Sequence, residues 1–478
     1  MSLVARIRTP VARVKHRKWA GGLPCLIALA FGLLLRLILL YTTQDMGLMI
    51  VDEQHYHRLA HNLLHGHGFA RAPDALTSMR PPLYPFFAAL IWTITGTESL
   101  LYMRLAQIVL NLINVYLLYQ LGLLLFDQRI ALLAAVGFWL YPSFVACNFF
   151  LLTEILFTCL LTLVALGYVV LLRTGKGAIA WGTGCALGLA ALTRSVLWPF
   201  PLVLCPLAFF SLGGSWKSRA PLVLYLLLGY ALIIAPWAVR NTRLQGVFTL
   251  VDTMGGLNLL MGNYEHTPLN RAWDAISLRG EKSWFYDLPP TPSNGTTWTE
   301  GRKEKWALRK AVTYMLEHPA LTLKRTVIKF ANFWGLERVI ISSWQRGLYQ
   351  PPQWFAVMGT VAITLAYPLT MLLASLGLFL ALPKNHLAHL FLVSVIVCIC
   401  GVHTIVFGHE RYHLPLMPFI LLYAAAAIRQ QSWQRLREGR LTITAPVVTC
   451  VLLLVIWGRE LLFVETAHIR TLLRSFAD

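Results

Sequence analysis

A pair of carboxylates, Asp52 and Glu53 in the run Val51-Asp52-Glu53-Gln54-His55-Tyr56, follows the first long apolar stretch of the chain, Leu23 to Tyr41. Charge beside a membrane span is costly unless it faces water or does work, so the pair marks a candidate site. Other charges stand at the edges of later apolar runs: Arg80, Glu154 in Leu152-Thr153-Glu154, Arg194 closing Ala191-Leu192-Thr193-Arg194, Arg240, and Arg411 in His409-Glu410-Arg411-Tyr412-His413. A carboxylate such as Asp52 can take a proton from an acceptor hydroxyl. Fork-shaped guanidinium groups suit phosphate oxygens, which makes Arg80, Arg194 and Arg411 candidates for neutralising a departing phosphate. Acids, several cations and a greasy surround together fit a reaction on a phosphate attached to a lipid. The chain has no Walker-type phosphate loop and no soluble nucleotide-binding segment, so the donor is expected to arrive within the membrane.

The elements that must position these groups follow from composition. The chain has 478 residues, 57% hydrophobic and only 13% charged, with a mean hydropathy of +0.61. These values describe an all-α polytopic membrane protein. The net charge of +20 would suggest nucleic acid in a soluble protein; here it tests the positive-inside rule instead, and no nucleic-acid partner is expected. Arg6, Arg8, Arg13, Lys15, Arg17 and Lys18 precede the first apolar run, which is too long for a cleaved signal and reads as an uncleaved anchor with a cytoplasmic N-terminus. Further apolar runs at about 100–125, 130–150, 153–172, 178–193, 195–212, 221–238, 354–382, 387–408, 414–428 and 441–458 make eleven crossings. Every loop that then falls inside is basic, carrying Arg129, Arg173 and Lys176, Lys217 and Arg219, Lys384, and finally Arg429, Arg435, Arg437 and Arg440. The run Leu83 to Thr95 is short, begins after Arg80-Pro81-Pro82 and would invert the pattern, so it is expected to lie in the outer interface.

The resulting organisation is a basic cytoplasmic N-terminus (1–22), an N-terminal transmembrane module (23–239) containing an external loop (44–98), an external segment (240–353), a C-terminal transmembrane module (354–458) and an external tail (459–478). Residues 289–296 are too rich in Pro, Gly and Asn for helix, whereas Arg302 to Trp334 alternates apolar and basic positions at helical spacing, interrupted at Pro319. That half reads as two amphipathic helices lying on the membrane or forming a small cap. Eight cysteines sit in apolar segments with neither metal spacing nor a disulfide pattern.

Several residues have plain structural readings that stay open. Asp52 or Glu53 suits a helix N-terminus, Glu154 a structural ion pair, Arg194 and Arg240 interfacial anchors, and Arg411 cation–aromatic packing with Tyr412. Arg36, inside the first span, reads either as snorkelling or as contacting a lipid donor. His57, His61 and His65 recur every four residues on one helical stripe beside His55 and His67. Two imidazoles at that spacing can hold zinc, and solvent-facing histidines also need no metal. A divalent ion bridging Asp52, Glu154 and a donor phosphate is chemically reasonable, although nothing in the sequence requires a cofactor.

The run Asp52-Glu53-Gln54-His55-Tyr56, with Ala60-His61-Asn62-Leu63, Gly66-His67-Gly68-Phe69 and Arg80-Pro81-Pro82-Leu83-Tyr84-Pro85, resembles the first external loop of GT-C glycosyltransferases. Leu152-Thr153-Glu154, Pro236-Trp237-Ala238-Val239-Arg240-Asn241 and Arg411-Tyr412-His413-Leu414-Pro415 are similar to further motifs of that superfamily. The chain is most similar to its bacterial branch of protein O-mannosyltransferases and lipid A aminoarabinose transferases. The resemblance implies a GT-C bundle of about eleven helices with external juxtamembrane helices, and an inverting transferase that uses a polyprenyl-phosphate sugar at the outer, periplasmic face of a bacterial inner membrane. It implies Asp52 as the catalytic acidic residue, with Glu53 beside it, and Arg80 as a contact to the lipid phosphate. Glu154 occupies a second acidic position that is often Asp in relatives, and Arg411 and His413 belong to a motif near the donor. Tyr56, Tyr84, Arg240 and Tyr412 complete the set as support. Membrane lipid and an acceptor glycan, lipid or protein are the implied partners. A lipid transporter or flippase, or a non-catalytic lipid-binding scaffold, is the rival reading; the first would be expected to show inverted repeats, and none is evident.

Overall fold

The computed structural model describes residues 22–288, 298–338, 340, 341, 344, 347, 352–429, 444–464 and 466. The basic stretch before residue 22, the Pro/Gly/Asn-rich run at 289–296, Arg435, Arg437, Arg440 and most of the tail after 459 lie outside the described residues.

Among the described residues the protein is helical, without strands. The membrane-embedded part begins with α1 (Gly22–Thr42). The segment between α1 and the next long apolar helix then supplies α2 (Val51–Leu64) and α3 (Leu83–Thr95). There follow α4 (Leu100–Leu125), α5 (Gln128–Leu140), α6 (Pro142–Cys147), α7 (Glu154–Thr174), α8 (Gly177–Thr193), α9 (Pro201–Ser211) and α10 (Trp216–Gln245). The polar middle of the chain gives α11 (Gly255–Gly262), α12 (Glu300–Glu317) and α13 (Pro319–Phe333). The chain returns to apolar helices with α14 (Gln353–Leu380), α15 (His386–Ile405), α16 (Met417–Arg429) and α17 (Thr444–Arg459).

Among the described residues eight helical stretches are long and apolar enough to cross a membrane, so this is an integral membrane protein. Three of the eleven apolar runs yield shorter helices, α5, α8 and α9. For two of them the reason is proline. The run 130–150 breaks because Tyr141, which precedes Pro142, takes an extended conformation (φ −64°, ψ 119°) and the chain restarts as α6. The run 195–212 opens as a single 3₁₀ turn, Ser195–Leu197, and becomes α-helix only from Pro201. The short α3 spans about 20 Å at 1.5 Å per residue, less than a bilayer core, in keeping with an interfacial position.

Helix ends carry their own punctuation. Asp127 caps α5 by accepting from the amides of Arg129 (2.8 Å) and Ile130 (3.0 Å), and Asn385 caps α15 through Leu387 (2.9 Å) and Ala388 (3.2 Å). Between spans, close approach replaces the hydrophobic drive that lipid removes. A Cβ on Gly184 of α8 would fall 2.0 Å from the Leu226 carbonyl oxygen of α10, and one on Gly377 of α14 would fall 1.9 Å from the Tyr423 carbonyl oxygen of α16. The polar middle of the chain builds a small separate core, in which Leu260, Met261 and Tyr264 pack with Ala275, Ala307 and Ala311. The break between α12 and α13 falls at Pro319, the first helical position of α13, where a missing amide costs nothing.

Arg36 follows neither sequence reading. It is fully buried, donating from Nε to Asn148 Oδ1 (2.8 Å), from Nη1 to the Gly32 carbonyl (3.0 Å) and from Nη2 to the Trp139 carbonyl (2.8 Å). Its guanidinium stacks 3.6 Å from the Trp139 ring centroid. The cation thus pins α1 to the end of α5 and to the loop that leads into α7.

Candidate active site

The adjacent carboxylates of α2 have separate fates. Ile50 is extended (φ −111°, ψ 143°) and the helix begins at Val51, leaving amide groups without helical partners. Glu53 takes them: its Oε2 accepts from the amides of Met49 and Ile50, both at 2.9 Å, and its Oε1 accepts from the Leu151 amide, also at 2.9 Å. Only 1% exposed, it staples the start of α2 to the loop before α7. Asp52, one residue earlier, turns instead toward a cluster of arginines.

Those arginines come from distant segments. Arg80 Nη2 donates to Asp52 Oδ1 at 2.6 Å, and Arg411 Nη1 to Asp52 Oδ2 at 3.1 Å. Arg411 Nε donates to Glu154 Oε1, and Arg194 Nη2 lies 3.5 Å from the same oxygen. The result is an alternating line, Arg80, Asp52, Arg411, Glu154, Arg194, with three cations and two anions and hence one surplus positive charge. Burial of Asp52 raises its carboxyl, but Arg80 and then Arg411 outweigh it and hold the group down at about 2. Glu154 is fully buried at the first position of α7, and its Oε2 has no hydrogen-bond partner among the described residues.

Supporting residues fix this line in place. Arg80 lies with its guanidinium 5.6 Å from the Tyr56 ring centroid; Tyr56 in turn meets Tyr84 edge-on at 5.2 Å, and the Tyr84 hydroxyl donates to Gln107 at 2.8 Å. Arg194 sits 5.5 Å from the Tyr412 ring, which stacks on His403. Arg240 lies behind the site, donating from Nη1 to the Thr77 carbonyl at 2.6 Å and from Nη2 to the Phe69 carbonyl at 3.2 Å. It holds the loop that delivers Arg80. Asn241 Oδ1 accepts from Ser78 Oγ (2.9 Å) in the same loop, and Glu300 Oε2 accepts from the Ser78 amide (2.7 Å). The sequence reading did not single out Glu300; its place is set by α12 folding back onto the loop between α2 and α3, and no local motif announces that.

His413 is drawn away from the line. It is fully buried, with Nδ1 2.7 Å from the Phe333 carbonyl and Nε2 3.1 Å from Glu337 Oε1. Glu337 also accepts from the hydroxyls of Tyr141 (2.8 Å) and Ser143. This network knots α13, the start of α6 and the Glu410–Leu416 turn together beneath Arg411.

Space exists on both sides. A cavity of about 170 Å³ is lined by His55, Arg58, Leu59, Arg71, Thr77, Met79 and Arg80. Arg71 reaches Glu300 at 3.4 Å, whereas Arg58, also missed from sequence, has no ion pair among the described residues. A smaller cavity of about 30 Å³ opens at Arg411, its wall shared by Ser143, Glu337 and Glu410 with the apolar Ile340, Ile363 and Leu414. Basic ground therefore flanks Asp52 on one face and mixed polar and apolar ground on the other.

Residues 79–239 match the family described as dolichyl-phosphate-mannose-protein mannosyltransferase. No curated protein sequence matches the chain. Among solved structures, the Archaeoglobus fulgidus oligosaccharyltransferase in complex with Zn and sulfate is similar at a TM-score of 0.50 and 14% identity, over 89% of this chain and 52% of that one. The apo form of the same enzyme gives 0.50 and 14%, over 95% and 56%. The chain thus spans about half the length of that oligosaccharyltransferase. ArnT from Cupriavidus metallidurans bound to undecaprenyl phosphate aligns at 0.40 and 14%, over 86% and 78%. We take the fold from the first two. Those two share this chain's helical membrane fold, and residues 79–239 are similar to the mannosyltransferase family.

Proposed function

We propose that the protein is an inverting glycosyltransferase that moves a sugar from a polyprenyl-phosphate donor to an acceptor hydroxyl at the outer face of the membrane. The observation that carries this reading is the line Arg80, Asp52, Arg411, Glu154, Arg194, in which a carboxylate is flanked by cations suited to phosphate. In the proposed step Asp52 takes the acceptor hydroxyl proton while the acceptor oxygen attacks the anomeric carbon. The bond from that carbon to the phosphate oxygen breaks, and the electron pair leaves on the phosphate, where Arg80 and Arg411 neutralise it with Arg194 behind them. A carboxylate held at about 2 is a poor base. Donor phosphate that draws Arg80 and Arg411 toward itself would loosen their grip on Asp52 and raise its proton affinity in the complex where the proton must move.

Glu154 keeps Arg411 aimed at Asp52, Glu53 and Arg240 hold the two backbone segments that bring Asp52 and Arg80 together, and Tyr56, Tyr84 and Tyr412 pack around them. His413 with Glu337 supports Arg411 from below. The basic cavity beside Arg80 has the charge for the donor's phosphate. We place this face on the periplasmic side of a bacterial inner membrane, with the N-terminus cytoplasmic, from the basic loops that fall on the other side. The oligosaccharyltransferase of like fold was crystallised with zinc. In this chain both oxygens of Asp52 and Oε1 of Glu154 are engaged by guanidinium groups, which leaves Glu154 Oε2 as the one oxygen of the two carboxylates without a partner among the described residues. That donor set does not fit a metal in this arrangement, and we route no step through one.

The decisive experiment is turnover of labelled polyprenyl-phosphate sugars by the protein in reconstituted vesicles with extracted envelope material as acceptor. Transfer of label with release of the lipid phosphate supports the reading. Donor that crosses the bilayer unreacted replaces it with transport.

A further inference from the structure

Two of the histidines on the α2 stripe meet an acid from another segment, away from the Asp52 line. Glu98 stands in the turn after α3, where Gly96 takes a left-handed conformation (φ 69°) that swings the chain back toward α2. Its Oε2 lies 2.7 Å from His61 Nδ1 and its Oε1 3.7 Å from His65 Nδ1. The two imidazoles face each other with ring centroids 4.2 Å apart. One ligand atom from each of His61, His65 and Glu98 lies within 4.8 Å of the others.

We propose that His61, His65 and Glu98 form a zinc site. Two neutral imidazoles and a carboxylate are a ligand set zinc takes readily, with metal–ligand distances of about 2.0–2.2 Å and hence ligand atoms about 3.3–3.6 Å apart in a tetrahedron. The ligand atoms, all within 4.8 Å of one another, can reach that spacing by rotation of side chains. His65 already has the orientation of a ligand. Its Nδ1 sits 2.9 Å from the His61 carbonyl oxygen, which makes that nitrogen the donor and leaves Nε2 free, the arrangement that fixes metal-ligating imidazoles. The side chains are 45%, 48% and 27% exposed, which leaves room for water as a fourth ligand. His57, the next residue on the stripe, is not part of the set; its ring lies against Trp92 at 5.0 Å. Nine residues of α2, about 14 Å at 1.5 Å per residue, separate His61 from Asp52, so the metal does not act on the Asp52 line as a Lewis acid. Its effect is mechanical: it clamps the C-terminal end of α2 to the turn between α3 and α4, and α2 carries Asp52 at its other end.

The experiment uses the full-length protein in lipid nanodiscs, stripped with chelator and titrated calorimetrically with zinc alone, with cobalt(II) visible spectra as a second readout. Wild type should bind one equivalent, and the cobalt form should show the intense bands of a tetrahedral site. Glu98→Gln should weaken zinc at least tenfold, and His61→Ala with His65→Ala should remove the equivalent. Because the three side chains face solvent, folding is checked by the thermal unfolding temperature without metal; Glu98→Gln changes a single atom and serves should the double variant fail to fold. No binding by wild type, or equal affinity in wild type and both variants, overturns the site and leaves Glu98 as an ion-pair partner of His61. Neither readout depends on glycosyl transfer.

Discussion

Arg411 is the only described residue that touches both Asp52 and Glu154, so Arg411→Ala tests whether the line of charges is a single electrostatic unit. The substitution strands Glu154, which is fully buried with one oxygen already lacking a partner. Removing one member of a buried ion pair costs roughly 3–5 kcal/mol because the remaining charge stays in a medium that solvates it poorly. Arg194 keeps a contact with Glu154 at 3.5 Å and Arg80 keeps Asp52, which places the expected loss at the low end, about 3 kcal/mol. The diagnostic is the double variant. If the cost arises from a stranded carboxylate, Glu154→Gln in the Arg411→Ala background should return about 1–2 kcal/mol, whereas Glu154→Gln alone should destabilise. The assay is equilibrium unfolding of the purified protein in detergent for wild type, both single variants and the double. An Arg411→Ala loss below about 1 kcal/mol, or strictly additive effects, would refute the reasoning and reduce the line to a set of loose surface pairs.

Other consequences follow from individual contacts. Transfer should need ionised Asp52, so activity falls as pH drops through that carboxyl's value; because burial raises it and Arg80 leads the groups that lower it, Arg80→Gln should shift the acid limb of kcat/KM upward from near 2 toward or above the ordinary aspartate value of about 3.9. A pH profile with an unmoved acid limb would remove Asp52 as the titrating group. Gly377→Ala drives a methyl into the Tyr423 carbonyl and should destabilise by about 1–3 kcal/mol, read as a lower thermal unfolding temperature. Arg36→Met leaves the Gly32 and Trp139 carbonyls without that donor and should cost about 2 kcal/mol or more in the same assay; an unchanged unfolding temperature would contradict its role as a pin between α1 and α5.

Much of the candidate site was legible in the sequence because a membrane makes charge conspicuous. Asp52, Arg80, Glu154, Arg194 and Arg411 stand out at the ends of apolar runs, and the structure brings all five into one line. What the sequence could not separate is the work of neighbours. Asp52 and Glu53 are chemically alike and adjacent; only the extended backbone at Ile50 and the approach of Leu151 turn Glu53 into a staple and leave Asp52 facing cations. Arg36 looked like a snorkelling or donor-binding residue because its partners, a carbonyl of α5 and the Asn148 amide, lie more than a hundred residues away. Glu300 and Arg58 carry no local signature, since their places depend on how α12 and the loop between α2 and α3 fold together. Along the fold, the prolines at 142 and 201 marked where apolar runs would break, although hydropathy alone read those runs as continuous spans.

The central claim is that Asp52 accepts the acceptor's proton during sugar transfer. It is tested most directly by single-turnover transfer from a labelled polyprenyl-phosphate sugar, comparing wild type with Asp52→Asn and Glu53→Gln in vesicles, each first shown to be folded by its thermal unfolding temperature. The account predicts that Asp52→Asn lowers the rate by a factor on the order of 10²–10⁴ while donor still binds, and that the Glu53→Gln loss follows its loss of stability. An Asp52→Asn protein that transfers sugar within tenfold of wild type would contradict it.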